Sequence, residues 1–186
     1  GSLAHCQLDV GGFTCLDVGQ STGGFTDCLL QANAARVIGV DVGHSQLHDS
    51  LRHDARVTCI EKTNARELPT ALLDHTADAA GFDLAVMDVS FISQTLVLPS
   101  LARLLKYQGY LLSLVKPQFE AGPEHLNKQG LLKNTKMLGV IEEKLRDCCA
   151  VNGLSVLDYF PSAITGGDGN REFFLYAQRI RTCNPR

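Results

Sequence analysis

Asp88 closes the apolar run at residues 82–89, and Lys116 follows the next one, at 110–115. Short continuous runs of this kind suit strands buried on both faces of a parallel sheet, which aims an acid and a lysine at one cleft beyond the strand ends. Such a pair can hold and move a proton, or it can serve as a structural ion pair; its place at the ligand edge of a sheet favours the first. A further constellation lies upstream, Asp17-x-Gly19-x-x-x-Gly23-Gly24, where a β-forming run at 13–18 passes through a glycine loop into the helix-like stretch 25–35. In a doubly wound α/β sheet this first crossing holds a nucleotide-like ligand against the strand end and the helix N-terminus.

The spacing discriminates among ligands. A pyrophosphate site reads G-x-G-x-x-G, whereas here the glycines stand further apart and a carboxylate sits at the strand end. A carboxylate suits a cationic ligand with an amino group, and S-adenosyl-L-methionine, with an ammonium, a sulfonium and no phosphate, is such a ligand. The competing reading is that Asp17 caps the turn. Asp41 lies in a β-branched run at 36–42, where an acid can accept both hydroxyls of a ribose. Asn64, in Thr63-Asn64-Ala65-Arg66, follows a third run at 56–61 and either faces an adenine or forms a turn. The residues expected to line the cofactor pocket are Asp17, Gly19, Ser21, Thr22, Gly23, Gly24, Phe25, Asp41, Asn64 and Asp88. The glycines are expected there because a ligand can approach where a Cβ would stand.

The elements that must position these residues follow from the hydrophobic pattern. Strands are expected at 13–18, 36–42, 56–61, 82–89 and 110–115, with helices at 25–35, 45–52 (Ser45 as N-cap), 71–80 and 93–106, the last stopped by Gly109. Residues 119–135 read as a polar loop long enough to be a lid or a binding surface. A helix at 136–152, with Gly153 as its C′ residue, precedes strands at 155–160 and 172–179. Their glycine-rich connection is too short for a crossover, so these two pair antiparallel. The expected fold class is α/β, a Rossmann-like, mostly parallel seven-stranded sheet with an antiparallel last strand opened by Glu172.

A hydrophobic content of 45% with 20% charged residues describes a soluble globular protein. The apolar runs are too short to cross a bilayer and there is no signal peptide, so a single domain over residues 1–186, a cytoplasmic location and no stable membrane insertion are expected. Gly1-Ser2 reads as a cloning remnant. Seven cysteines without a C-x-x-C pair are expected to be reduced thiols. His44 and His48 have the i, i+4 spacing of a metal pair but lack the H-E-x-x-H glutamate, so they are expected to face solvent and no metal site is assigned. The net charge is −3, yet residues 103–146 hold eight basic and four acidic side chains, +4, which leaves −7 for the remainder. That basic segment is a candidate surface for phosphates, with ordinary solvated helix charges as the alternative for Lys144 and Arg146.

With these residues collected, the sequence resembles the TlyA family, a branch of the FtsJ-like ribosomal RNA 2'-O-methyltransferases. The blocks that carry the resemblance are 15–27, 40–47, Thr63-Asn-Ala-Arg66, Met87-Asp-Val-Ser-Phe-Ile-Ser93, Val115-Lys-Pro-Gln-Phe-Glu-Ala-Gly122 and Gly169-Asn-Arg-Glu-Phe173. The resemblance implies methyl transfer from S-adenosyl-L-methionine to a ribose 2'-hydroxyl of cytidine, with ribosomal RNA or ribosomal subunits as the partner. It also implies a Lys-Asp-Lys-Glu catalytic set, whose last three members fall on Asp88, Lys116 and Glu172; residues 1–13 contain no lysine to match the first. Family members carry an amino-terminal S4-like RNA-binding domain, which these residues do not include. Two alternatives stay open here: a membrane-active haemolysin-like protein, since some family members bear that label, and an NAD-dependent oxidoreductase.

Overall fold

The computed structural model describes residues 1–44 and 46–180. Seven strands form one sheet in the order β3-β2-β1-β4-β5-β7-β6. They are β1 (Thr14–Val18), β2 (Arg36–Val40), β3 (Val57–Ile60), β4 (Phe82–Met87), β5 (Leu105–Val115), β6 (Leu154–Pro161) and β7 (Phe173–Arg179). The first five pair parallel. β7 runs antiparallel to both β5 and β6. This is the Rossmann-like sheet with its reversed last strand.

Alternation along the strands divides the core in two. Leu16, Val18, Ala85 and Met87 face one cluster, while Cys15, Leu84 and Val86 face the other. Helices α1 (Ser2–His5), α2 (Gly24–Gln31) and α3 (Asp49–Arg52) lie with the second cluster, to which α2 contributes Leu29 and Leu30 and α3 contributes Leu51. Helices α4 (Leu98–Ala102) and α5 (Met137–Val151) cover the first. In α5 the buried positions Ile141, Leu145 and Cys149 recur every fourth residue, and Gly153, at φ 74, ends it as the expected C′ residue.

Three expected helices differ. Residues 70–79 form two 3-10 turns, Thr70–His75 and Ala77–Ala79, in place of an α-helix. Thr76 redirects the chain there: its hydroxyl donates to the Leu73 carbonyl at 2.7 Å and accepts from the Gly81 amide at 3.1 Å, competing with helical bonding. The helix expected at 93–106 is split into a 3-10 turn, Gln94–Leu96, and α4, with Pro99 in its first turn. A proline suits a helix start and cannot continue a helix from before. The chain then enters β5 at Leu105, and the Phe82 amide donates to Leu104 O at 2.8 Å, so Gly109 lies within a strand. Ser45 lies outside the described residues; α3 begins at Asp49 and is capped by His48, whose Nδ1 accepts from Ser50 N.

The six described cysteines are free thiols, and Cys183 lies outside the described residues. Burial pushes the Cys15 and Cys149 thiols up to about 12, which keeps them protonated and unreactive. Among the described residues no helix is long and apolar enough to cross a membrane.

Candidate active site

The loop after β1 is fastened to both neighbouring strands. Gly19 N and Gln20 N both donate to Val40 O, at 2.9 and 3.1 Å, and Asp88 N donates to Val18 O at 3.0 Å. Gly19 has φ +80, and a Cβ there would stand 2.2 Å from the Asp88 carbonyl oxygen. Gly23 has φ +105, and a Cβ would fall 2.3 Å from Leu51 Cδ1 and 2.8 Å from Leu47 Cδ1. These two glycines therefore admit close approach of protein atoms, which corrects the expectation that a ligand fills both spaces.

Beyond the ends of β1, β2 and β4 lies a cleft of about 550 Å³ lined by Gly19, Ser21, Asp41, Asn64 and Asp88 among others. The other five expected pocket residues lie elsewhere. Asp17 is fully buried beneath the loop. Thr22 holds α3 through its carbonyl, which accepts from His48 N, and Gly23 packs on the α3 leucines. Gly24 begins α2, and Phe25 meets Phe174 edge-on at 6.5 Å. The strand-and-loop pattern placed these five near a ligand because sequence distance cannot tell the cleft side of a tight turn from its packed side.

Asp41 accepts from Ser21 N at 2.5 Å on Oδ2 and from Gly43 N at 2.9 Å on Oδ1. One acceptor position remains on each oxygen, which matches a vicinal diol. Asn64 caps the 3-10 turn Ala65–Glu67 by accepting from Arg66 N at 3.0 Å, so the turn reading holds and its amide nitrogen remains beside the cleft.

Asp17 accepts from the Thr26 hydroxyl at 2.7 Å, which in turn accepts from Gln20 Nε2 at 2.9 Å. Burial, opposed by the Thr26 bond, pushes the Asp17 carboxyl up to about 7. The folded protein thus keeps a proton there at pH values where an unfolded aspartate has lost it, and the contribution of Asp17 to stability falls as pH rises from about 4 through about 7. Asp17→Asn should show a smaller drop in Tm between about pH 5 and pH 8 than the wild type. Identical drops in the two proteins would show that Asp17 carries no such linkage.

The acid and lysine that end β4 and β5 meet. Lys116 Nζ forms an ion pair with Asp88 Oδ1 and donates to Ser90 Oγ at 3.0 Å. The Lys116 side chain is 14% exposed and that of Asp88 37%. Glu172 stands immediately before β7, which is antiparallel, so the start of that strand arrives at the edge where β4 and β5 end. Burial raises the Glu172 pKa, with the nearby Lys116 charge opposing and the Asp88 charge assisting. The structure therefore brings Asp88, Lys116 and Glu172 into one electrostatic group at the cleft. Ser90 joins them, and its place two residues after Asp88 was the available signal.

Glu120 was missed by sequence reasoning altogether. Its buried carboxylate accepts from Ser93 Oγ at 2.6 Å and from Gln94 N at 2.7 Å, and Lys144 Nζ lies 3.5 Å away. It joins the segment after Asp88 to the segment after Lys116. Four of the eight basic side chains of that segment are ion-paired, Lys106 with Asp83, Lys116 with Asp88, Lys144 with Glu120 and Arg146 with Glu142. Lys144 and Arg146 are exposed side chains in such pairs, as the alternative of ordinary solvated helix charges expects.

Comparison with known proteins agrees with this arrangement. The FtsJ-like methyltransferase family model matches residues 3–179. A Bacillus subtilis protein with a provisional rRNA methyltransferase name, YqxC, is 44% identical over 87% of this chain and 56% of its own length. The 16S/23S rRNA (cytidine-2'-O)-methyltransferase TlyA of Mycobacterium tuberculosis is 39% identical over 100% of this chain and 66% of its own. A solved Streptococcus thermophilus structure that bears a provisional hemolysin name superposes with TM-score 0.90 at 39% identity, covering 97% of this chain and 64% of the other. The chain thus spans 56% to 66% of the length of these curated relatives. With the family model covering nearly every described residue, the chain belongs to the FtsJ-like methyltransferase family.

Proposed function

We propose that this chain is the catalytic part of an S-adenosyl-L-methionine-dependent methyltransferase acting on a ribose 2'-hydroxyl of cytidine in ribosomal RNA. The observation that carries the reading is the Asp88–Lys116 ion pair, whose Asp88 lines the same cleft as Asp41. The lining fits the cofactor, because Asp41 keeps one acceptor position on each oxygen for a ribose diol. When bound, the cofactor supplies an already activated methyl group on a sulfonium.

What remains for the protein is to align the hydroxyl and ease the loss of its proton. Lys116 is placed for both, being held from one side by Asp88 and from another by Ser90. In the resting ion pair Lys116 is an ammonium, so it accepts the ribose proton only after passing one of its own to solvent; the neutral amine then takes the hydroxyl proton, and Asp88 and Glu172 stabilise the cationic lysine that re-forms. The names of the relatives, which include a cytidine-2'-O-methyltransferase, support the choice of nucleotide and of ribosomal RNA.

Mass mapping of ribosomal RNA from cells with and without the intact gene tests the reading. The expected result is one or more cytidines that lose a ribose methyl group on deletion and regain it with the restored gene. Identical ribose methylation in the two strains would sink it.

A further inference from the structure

A second cleft, of about 870 Å³, adjoins the first and shares Asn64, Phe91 and Ile92 with it. Its lining includes Gln118, two residues beyond Lys116, and Asp168, four residues before Glu172. A ribose whose 2'-hydroxyl lies at Lys116, with the cofactor in the first cleft, has this second space for its base.

The chemistry of that wall is selective. Asp168 Oδ1 accepts from Asn170 N at 2.9 Å, while Oδ2 accepts from Gln118 Nε2 at 2.9 Å and from Asn170 Nδ2 at 3.0 Å. Asn170 is itself buried and fastened on its other side to the 126–132 loop, where Gly130 O and Leu132 N are its partners. The carboxylate is therefore held in place. These bonds, the Asn170 amide foremost, also keep the Asp168 carboxyl below its usual range, so at neutral pH it can only accept hydrogen bonds. Gln118 is 8% exposed, and its orientation follows from chemistry, since its NH₂ and not its oxygen must face the carboxylate. Its Oε1 is then a buried acceptor without a partner among the described residues, beside the exposed Asp168 carboxylate.

An anion in a cleft that admits RNA repels the phosphates, and Arg66 is the cation of the lining available to them. With Oδ2 accepting two bonds and Oδ1 one, Asp168 keeps an acceptor position on Oδ1, which suits a donor from the ligand. On the pairing edges of the pyrimidines, the exocyclic amine of cytosine donates where O4 of uracil accepts. We propose that the Asp168 carboxylate, held by Gln118 and Asn170, reads the base of the target nucleotide by accepting a hydrogen bond from the 4-amino group of cytosine. This rests on the ribose-methylation reading above.

The test uses the protein as encoded in full and ribosomal subunits reconstituted with rRNA carrying cytidine, uridine or, as the 4-deamino target, the pyrimidin-2-one riboside (hydrogen in place of the 4-amino group) at the mapped position. The quantity read is the ratio of kcat/KM for cytidine to that for uridine. Asp168→Asn is expected to lower this ratio by roughly 5- to 150-fold, the range that one good base contact represents. The ratio is insensitive to how much of the variant is folded, because the same molecules meet both substrates. Should the variant not fold at all, the wild type decides: it is expected to lose a comparable factor on the 4-deamino target. An unchanged ratio in the variant, or equal methylation of the 4-deamino and cytidine targets by the wild type, would overturn the assignment while leaving ribose methylation intact. A wild type that transfers no methyl to any of the three would overturn the methylation reading and this inference with it.

Discussion

Replacement of Lys116 by alanine is expected to lower kcat by on the order of 10²–10⁴-fold while S-adenosyl-L-methionine affinity stays within about twofold of the wild-type value. The split follows from position. Lys116 follows β5 next to Asp88 and Ser90, and it is those two residues that line the cleft proposed for the cofactor. Removing the lysine takes away the partner of Asp88, but that carboxylate is 37% exposed and water can solvate it. The fold should therefore survive. Lys116→Arg sharpens the result, since arginine retains the charge and cannot give up a proton near neutral pH. If Lys116 takes the ribose proton, the arginine variant binds the cofactor and is as inactive as the alanine one. Calorimetry with the cofactor and tritium transfer to ribosomal subunits read the two quantities separately, and undiminished transfer by Lys116→Ala would refute the assignment.

Gly19→Ala is expected to be severely damaging for a single added methyl group. The position has φ +80, which costs an L-residue about 1–2 kcal/mol. The added Cβ also meets the Asp88 carbonyl oxygen at 2.2 Å, and relieving such an overlap in a packed region costs a further ~1–3 kcal/mol. That oxygen belongs to the backbone of Asp88, so the clash cannot be relieved by turning a side chain. The ends of β1 and β4 must separate, moving Asp88 away from Lys116. The expected outcome is a loss of about 2–5 kcal/mol in denaturant unfolding together with loss of cofactor binding. Gly24→Ala is the control, because a Cβ at that position meets no neighbouring atom within 4 Å. Equal stability of the two variants would refute the close-approach argument.

Much of the sheet was legible because its strands are short β-branched runs ended by turn residues, and the antiparallel closure followed from connection length alone. The segments misread as helices, 71–80 and 93–106, failed for local reasons that composition hides. In one the Thr76 hydroxyl captures two backbone groups, and in the other Pro99 divides the run. At the site, Asp88, Lys116 and Glu172 were readable as charged residues at the ends of apolar runs. The contact side of the glycine loop was not, since Gly23 and Gly19 have the same local signature as ligand-facing glycines and only the fold shows Leu51 and Asp88 in those spaces. Glu120 was unreadable for a different reason. Its partners Ser93, Gln94 and Lys144 lie 24 to 27 residues away, across element boundaries.

The reversed strand has a consequence for the order of synthesis. The described lining of the first cleft lies between Gly19 and Ile92, whereas Glu172 enters only with β7, which is inserted between β5 and the edge strand β6. A chain growing from its amino end therefore builds a pocket for its small ligand well before its last acid exists, and β6 has no sheet partner until β7 emerges beside it.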